Sequence, residues 1–371
     1  MKPRYEVLDG LRGVAALSVF LFHFPDALVP NSQNPLLYSY LAVDFFFILS
    51  GFVLGHAYDA RMSPKAAPGY RLNWRDFLTR RLIRLHPMLL VGVLLGSIGY
   101  VFDPFVGQGH LAGVAYPYSL LVLNVALALL ALPAPSLPDS WGGICSIDPP
   151  AWSLLAEYSG STIYGFLGQR TGKRLLVAVF FTGALALIWM SWLHKGLEIG
   201  WAWDNFWGGP IRMWASFAGG LLIFRLNLKF RVPRPFFLLS AVLIGIFVIP
   251  EVRAWHGLFE ALCVLGFFPL VVMAGAGETA VAGAAGTLCR LCGRLSYPVY
   301  IIHYPFVLLF VHWSESQHPS RVLFWSVGIV TYLGVVLLAW LLAVFYDEPV
   351  RAWLGRRNGF LLAGASGQPA F

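Results

Sequence analysis

Of the 371 residues, 58% are hydrophobic and only 12% are charged, and the mean hydropathy is +0.69. An ordinary soluble domain carries about 25% charged residues, so this composition excludes a soluble globular enzyme and points to a polytopic membrane protein. The net charge of +8 is not a nucleic-acid footprint, because its Lys and Arg gather in a few short stretches, as the positive-inside rule expects.

Apolar segments fall near 12–29, 39–57, 82–102, 111–132, 152–168, 174–193, 209–226, 235–250, 255–276, 296–313 and 321–346. Several approach the roughly 20 residues that a helical span needs. The basic stretches 61–84, 169–174, 225–234, 290–294 and 351–357 read as cytoplasmic loops, and 25–38, 194–208 and 314–320 as external ones. No soluble domain, linker or repeat interrupts this order. Residues 1–371 therefore read as one all-α transmembrane helix bundle, with 352–371 a flexible cytoplasmic tail. The first apolar run lacks a small-residue cleavage pattern and reads as a retained helix. Parity sets the span count: eleven crossings cannot leave both termini inside. Three segments lie between the inner stretches ending at 84 and starting at 169, where an even number must cross. The expectation is about ten full spans, with one of those three re-entrant, lateral or fused.

The ionisable residues inside these segments are the candidate functional groups, since each is costly in a bilayer. In LDGLRGVAALSVFLFHFPD, Arg12 and His23 stand eleven residues apart. That is three turns plus about 20°, so one helix would present both on one face, roughly 16 Å apart along its axis. In LAVDFFFILSGFVLG, Asp44 either lines a polar cavity or holds a cation, or is a polar residue at the external interface. Arg80, Arg81 and Arg84 are spaced i,i+3 and i,i+4 and can line one side of a helix start. Their guanidinium forks suit phosphate oxygens; the alternative is contact with anionic headgroups. Asp148-Pro-Pro reads as an N-cap with proline in the first turn. Ser153 and Glu157 follow on one face, and Glu157 needs a cation or a proton. Ser296, Tyr300 and His303, at i, i+4 and i+7, form a polar stripe on an apolar helix.

Other polar residues carry blander readings. His194, His256, His312 and His318 lack metal-ligand spacing and read as interface histidines, so no metal is expected. Cys289 and Cys292 have CxxC spacing, read as adventitious in a short inner loop, and the four cysteines form no disulfide framework. Trp201, Trp203, Phe206 and Trp207 read as an interfacial belt, with stacking on a sugar as the alternative.

Taken in order, these motifs resemble the acyltransferase-3 family of integral membrane O-acyltransferases. DGLRGVAALSVFLFHF carries the family's R-x10-H signature as Arg12 and His23, and VDFFFILSGF its second-helix motif. FLTRRLIRLHP holds the R-x-x-R element as Arg81 and Arg84, and PPAWSLLAEY resembles the WSLxxE motif. GRLSYPVYIIHYP resembles the SYxxYxxH motif, and Tyr346-Asp-Glu348-Pro349 the closing E-x-P element. The match runs from about residue 5 to 351. One departure is Ala156, where an acidic residue is common, which leaves Glu157 as the sole acid of its motif.

The resemblance implies a multi-pass enzyme of the bacterial cytoplasmic (inner) membrane, both termini cytoplasmic, in a stand-alone form without an SGNH-type domain. It implies transfer of an acyl group, usually acetyl, from acyl-CoA to a hydroxyl, usually on a cell-surface or exported glycan; some members acylate macrolides or other small molecules. No tightly bound cofactor is expected, since acyl-CoA is a substrate. The partners are acyl-CoA, a carbohydrate or other hydroxyl acceptor and the lipid bilayer. His23 is the expected general base or transient acyl carrier. Arg12 would hold the thioester end or a phosphate, and Arg80, Arg81 and Arg84 the nucleotide of coenzyme A. Glu157 and His303 would orient groups or bind acceptor, with Asp44, Ser153, Ser296 and Tyr300 in support. The rival class is a transporter or flippase, which also uses buried ionisable groups.

Overall fold

A computed structural model describes residues 4–25, 33–63, 65–67, 70–105, 118–138, 142–167, 171–251 and 255–359. Part of the apolar segment 111–132 and the end of the expected tail, from 360 onward, lie outside these residues. The described chain is helical and contains no strand, only an isolated bridge between Gly143 and Ala202.

Helix α1 (Glu6–Phe22) is followed by a 3-10 turn, Leu37–Leu41, leading into α2 (Ala42–Met62). Next come α3 (Trp74–Phe102), α4 (Tyr118–Leu129), α5 (Ala151–Leu167), α6 (Lys173–Leu193), α7 (Gly208–Arg225) and α8 (Pro235–Phe247). Helices α9 (His256–Leu262) and α10 (Phe268–Gly275) are joined by a π turn, Cys263–Phe267. Helix α11 (Gly283–Gln317) follows, then α12 (Arg321–Leu342) and α13 (Glu348–Arg357), joined by a second π turn at Ala343–Asp347. Each π turn precedes a proline, Pro269 or Pro349. A proline ring clashes with the carbonyl four residues back. Here that carbonyl belongs to Leu265 or Phe345, inside the widened turn, so the helix continues instead of breaking.

Six helical stretches among the described residues are long and apolar enough to cross a bilayer: Leu37–Met62, Trp74–Phe102, Lys173–Leu193, His256–Gly275, Gly283–Gln317 and Arg321–Arg357. They differ in place. The apolar window of the α2 stretch is 83% buried, whereas those of α6 and of α12–α13 are each 22% buried. Thus α2 is the centre of the bundle, and α6 and α12 turn apolar side chains outward. The described part of helix α4 has 12 residues, about 18 Å.

Glycines set the closest seams. Helix α1 lies along α11, and a Cβ at Gly13 would collide with the Cys292 carbonyl. Helix α2 meets α7 through Gly51 and Gly220, each set against the other helix's backbone. Close approach through small residues is how membrane helices gain packing without a hydrophobic driving force. The CxxC pair is thus a packing feature: Cys289 and Cys292 fill the α1–α11 seam, and all four cysteines are free.

Two expectations change. The basic stretch 290–294 is not a loop. It lies inside α11, whose 35 residues span about 52 Å and overrun the hydrocarbon core. His23 is not within a transmembrane helix either. Helix α1 ends at Phe22, and His23 caps it just ahead of Phe24-Pro25. The proline disfavours helical backbone at the residue before it, and the Asn34 amide satisfies the freed Phe22 carbonyl at 2.7 Å.

Candidate active site

A cavity of about 100 Å³ opens among α1, α2, α3, α5 and α11. Its walls include Arg12, Ser50, Arg81, Arg84, Ser153, Glu157, Ser296 and Tyr300. Seven of the sequence-derived candidates therefore share one space, although they come from four helices and span almost 290 positions.

The polar contacts explain each placement. Arg12 reaches across the glycine seam, its Nε donating to Ser296 Oγ at 3.2 Å and its Nη2 pairing with Asp9 at 3.0 Å. Asp9 is also held by Arg4 at 2.7 Å. On the opposite wall, Arg81 pairs with Glu157 and donates to Ser161 Oγ at 3.3 Å. Ser50 of α2 donates to the same Glu157 carboxylate at 3.0 Å. Glu157, left without a named partner by the sequence, thus has a cation and a hydroxyl. The polar stripe of α11 tracks these walls: Ser296 meets Arg12, and Tyr300 shares a 2.8 Å hydrogen bond with Ser153.

One end of the α11 stripe carries the histidines. The rings of His23 and His303 stack with centroids 5.5 Å apart and 25° between planes. His303 is buried, and its Nδ1 lies 2.8 Å from the Tyr300 carbonyl, so Nδ1 carries the proton. Its Nε2 is then an acceptor, and it has no hydrogen-bond partner. His23 is half-buried and also meets the edge of Tyr304.

Two expectations do not hold in their first form. The three arginines do not share one face. Arg81 and Arg84 line the cavity, whereas Arg80 lines it nowhere and lies towards Arg61 and Tyr58. Adjacent residues on a helix point about 100° apart, so Arg80 and Arg81 diverge. Asp44, for its part, is outside the cavity wall. It is fully buried against Arg212, with Nη2 to Oδ2 at 2.7 Å and Nε to Oδ1 at 3.2 Å. The cation-holding reading of Asp44 is the one realised.

The matching family model, that of an acyltransferase domain, covers residues 5–344. The chain belongs to the acyltransferase-3 family. It is 25% identical to acyltransferase MdmB of Streptomyces mycarofaciens, over 96% of this chain and 94% of that protein. It is 24% identical to the peptidoglycan O-acetyltransferase OatA of Listeria monocytogenes, over 95% of this chain and 56% of that protein. A third relative, protein 2 in the picA locus of Rhizobium radiobacter, is 33% identical over half of this chain and 93% of its own length. No solved structure matches. The chain is thus a membrane acyltransferase with several apolar helices.

This acyltransferase also holds charges that the motif reading passed over. Arg212 is 2% exposed. Besides Asp44 it donates to the Ile199 carbonyl at 2.7 Å, and its guanidinium lies 5.2 Å from the Trp152 ring centre. Glu260, fully buried, accepts from Tyr40 and from the Leu197 amide and pairs with His256 at 2.8 Å. Asp9 holds two arginines. Arg212 and Glu260 were findable as lone charges in apolar runs, the signal that marked Arg12; Asp9 stands among Arg4, Glu6 and Arg12 instead. His256, expected as an ordinary interface residue, is part of this buried network. Among the described residues no group of His, Cys, Asp and Glu is arranged to hold a metal ion.

Proposed function

We propose that this acyltransferase moves a short acyl group, most simply acetyl, from cytoplasmic acyl-CoA to a hydroxyl of a cell-surface or exported glycan. The observation that carries the reading is the convergence of Arg12, Arg81, Arg84, Glu157, Ser153, Ser296 and Tyr300 on one cavity, with His23 and His303 paired where α1 ends against α11. The small cavity favours a short acyl group. The likeness to a peptidoglycan O-acetyltransferase favours a glycan hydroxyl.

In this reading the acyl donor threads the cavity, where Arg12 grips its arm, and the thioester carbonyl lies at the His23–His303 end of the α11 stripe. A sugar hydroxyl is a weak nucleophile, so a base must take its proton. His23 is that base. The hydroxyl oxygen attacks the thioester carbonyl carbon, His23 takes the hydroxyl proton, the C–S bond breaks, and the departing thiolate recovers that proton. His303 holds the His23 ring by stacking. Glu157 positions Arg81 and the α2–α5 wall. If His23 is instead acylated first, a mixture of enzyme and acyl-CoA alone would yield one thiol per enzyme and an acyl-histidine.

For topology, ten crossings with both termini cytoplasmic satisfy the parity argument if one of the three segments between 84 and 169 does not cross. Residues 290–294 and 351–357 then mark the cytoplasmic end.

The test is purified protein with acetyl-CoA. Thiol release that requires a glycan acceptor, together with an acetyl mass increment on surface glycans only when the protein is present, is the expected result. Uptake of glycan into proteoliposomes without acyl-CoA, and no thiol release, would establish the transport reading instead.

A further inference from the structure

A second cavity, about 310 Å³ against about 100 Å³ for the first, opens at the basic end of the bundle. Five arginines line it: Arg4, Arg84, Arg290, Arg294 and Arg351. Among the described residues, two carboxylates stand on the same wall, Asp347 and Glu348. The arginines arrive from four places in the chain: the stretch before α1, helix α3, the overrunning N-terminal turns of α11, and α13 past its π turn.

Four of these guanidinium groups are held in place by ion pairs. Arg4 pairs with Asp9 at 2.7 Å, Arg290 with Glu6 at 3.3 Å, Arg294 with Glu348 at 2.8 Å and Arg351 with Asp347 at 2.9 Å. Asp9 and Glu6 do not line the cavity; they orient Arg4 and Arg290 and offset part of their charge, leaving five guanidinium groups against four carboxylates in all. Each guanidinium has five N–H donors in a planar fork. A wall of oriented forks with excess positive charge is matched to phosphate oxygens.

The two cavities share Arg84 and Tyr297 as a common wall. A large cationic chamber thus abuts a small, mostly apolar one that carries Arg12, Glu157 and the Ser296–Tyr300 part of the α11 stripe. That pairing matches a molecule with a polyanionic head and a thin, neutral arm. We propose that the outer cavity binds the phosphate-bearing nucleotide head of the acyl donor, a diphosphate plus a separate monophosphate, while the thioester arm passes Arg84 and Tyr297 into the inner cavity. The inference rests on the acyl-CoA reading above and moves the phosphate grip to new residues. Arg81 is engaged by Glu157 and Ser161, and Arg80 lines neither cavity. Only Arg84 of that motif remains at the phosphate site. A lipid phosphate headgroup presents the same oxygen chemistry, so the two sources must be separated by experiment.

The full chain in phosphatidylcholine nanodiscs would be titrated with coenzyme A and with adenosine 3′,5′-bisphosphate. The forms compared are the unaltered protein, an Arg290→Gln/Arg294→Gln double variant, Arg294→Lys, Glu348→Gln and His23→Ala, each with its thermal midpoint. Both ligands are expected to bind. The double variant should weaken them at least tenfold, and Arg294→Lys by less. Glu348→Gln should strengthen them about two- to fivefold, because it removes a carboxylate that competes with phosphate. That gain is one a purely structural ion pair would not produce. His23→Ala should bind within twofold. Coenzyme A binding that is unchanged in the double variant and in Glu348→Gln would overturn this site and leave the acyl-CoA reading standing. No coenzyme A binding by any folded form would overturn that reading, and this inference with it. A parallel preparation in phosphatidylglycerol discs covers the lipid source. Native mass spectrometry showing an anionic lipid retained by the unaltered protein and lost in the double variant, with no binding of the bisphosphate, would identify a headgroup site and overturn the proposal.

Discussion

The inner cavity and the Asp44–Arg212–Glu260 network are both clusters of charge inside a membrane bundle, yet they are built oppositely. Asp44, Arg212 and Glu260 have side chains at most 2% exposed. Arg212 satisfies a carboxylate and a backbone carbonyl and packs on Trp152. Nothing is left over for a ligand. In the cavity, by contrast, the side chains of Arg12 and Glu157 keep 20% and 24% exposure. They hold partners and still face open space. Burial of charge alone therefore does not mark a site. Charge that is oriented and also faces a cavity does.

The contrast can be broken at several points. The largest effect is expected at His23. His23→Ala should lower acyl transfer by about 10²–10⁴-fold, the usual worth of a general base, with the thermal midpoint unchanged; a folded variant with full activity would remove His23 from the chemistry. At the network the effect should be on stability instead. Asp44→Asn leaves Arg212 buried without its countercharge and should cost about 3–5 kcal/mol, read as a lost thermal midpoint and poor recovery from membranes. Replacing Asp44 and Arg212 together by Leu and Met should recover much of that loss. At the seam, Gly13→Ala drives a methyl into the Cys292 carbonyl and should cost about 1–3 kcal/mol. It should also lower activity, because the same seam sets Arg12 on Ser296. The smallest effect is expected at Arg80. Arg80→Gln should change stability by less than about 0.5 kcal/mol and coenzyme A affinity by less than twofold, as measured by titration. A tenfold loss there would restore the three-arginine clamp.

Much of this was legible in one dimension because bilayer physics is simple. An ionisable residue in an apolar run is rare enough to stand out, which is why Arg12, Glu157 and His303 were visible. The same rule reached Asp44 but not its purpose, since a carboxylate beside three phenylalanines reads alike whether it lines a cavity or holds an arginine 168 residues away. Arg212 and Glu260 carried the same signal without a familiar motif around them, whereas Asp9 opens the first motif and stands between Glu6 and Arg12 rather than alone. The basic stretch at 290–294 misled for another reason: charge density predicts the side of the membrane, not whether the backbone is coiled, and α11 runs through it as helix.

By itself the sequence determined that the chain is an all-helical membrane protein, and its ordered motifs determined the family. It did so because hydropathy and ionisable outliers are local properties, readable residue by residue. Only the tertiary structure decided which charges face space and which are braced. It set Arg12 on Ser296, Arg81 on Glu157, Asp44 on Arg212 and His23 on His303, through glycine seams that bring distant helices into contact. It also gathered five arginines, far apart in the chain, around one cavity at the basic end. Such pairings depend on which helices lie side by side, and helical periodicity says which face a residue is on but not what stands opposite it.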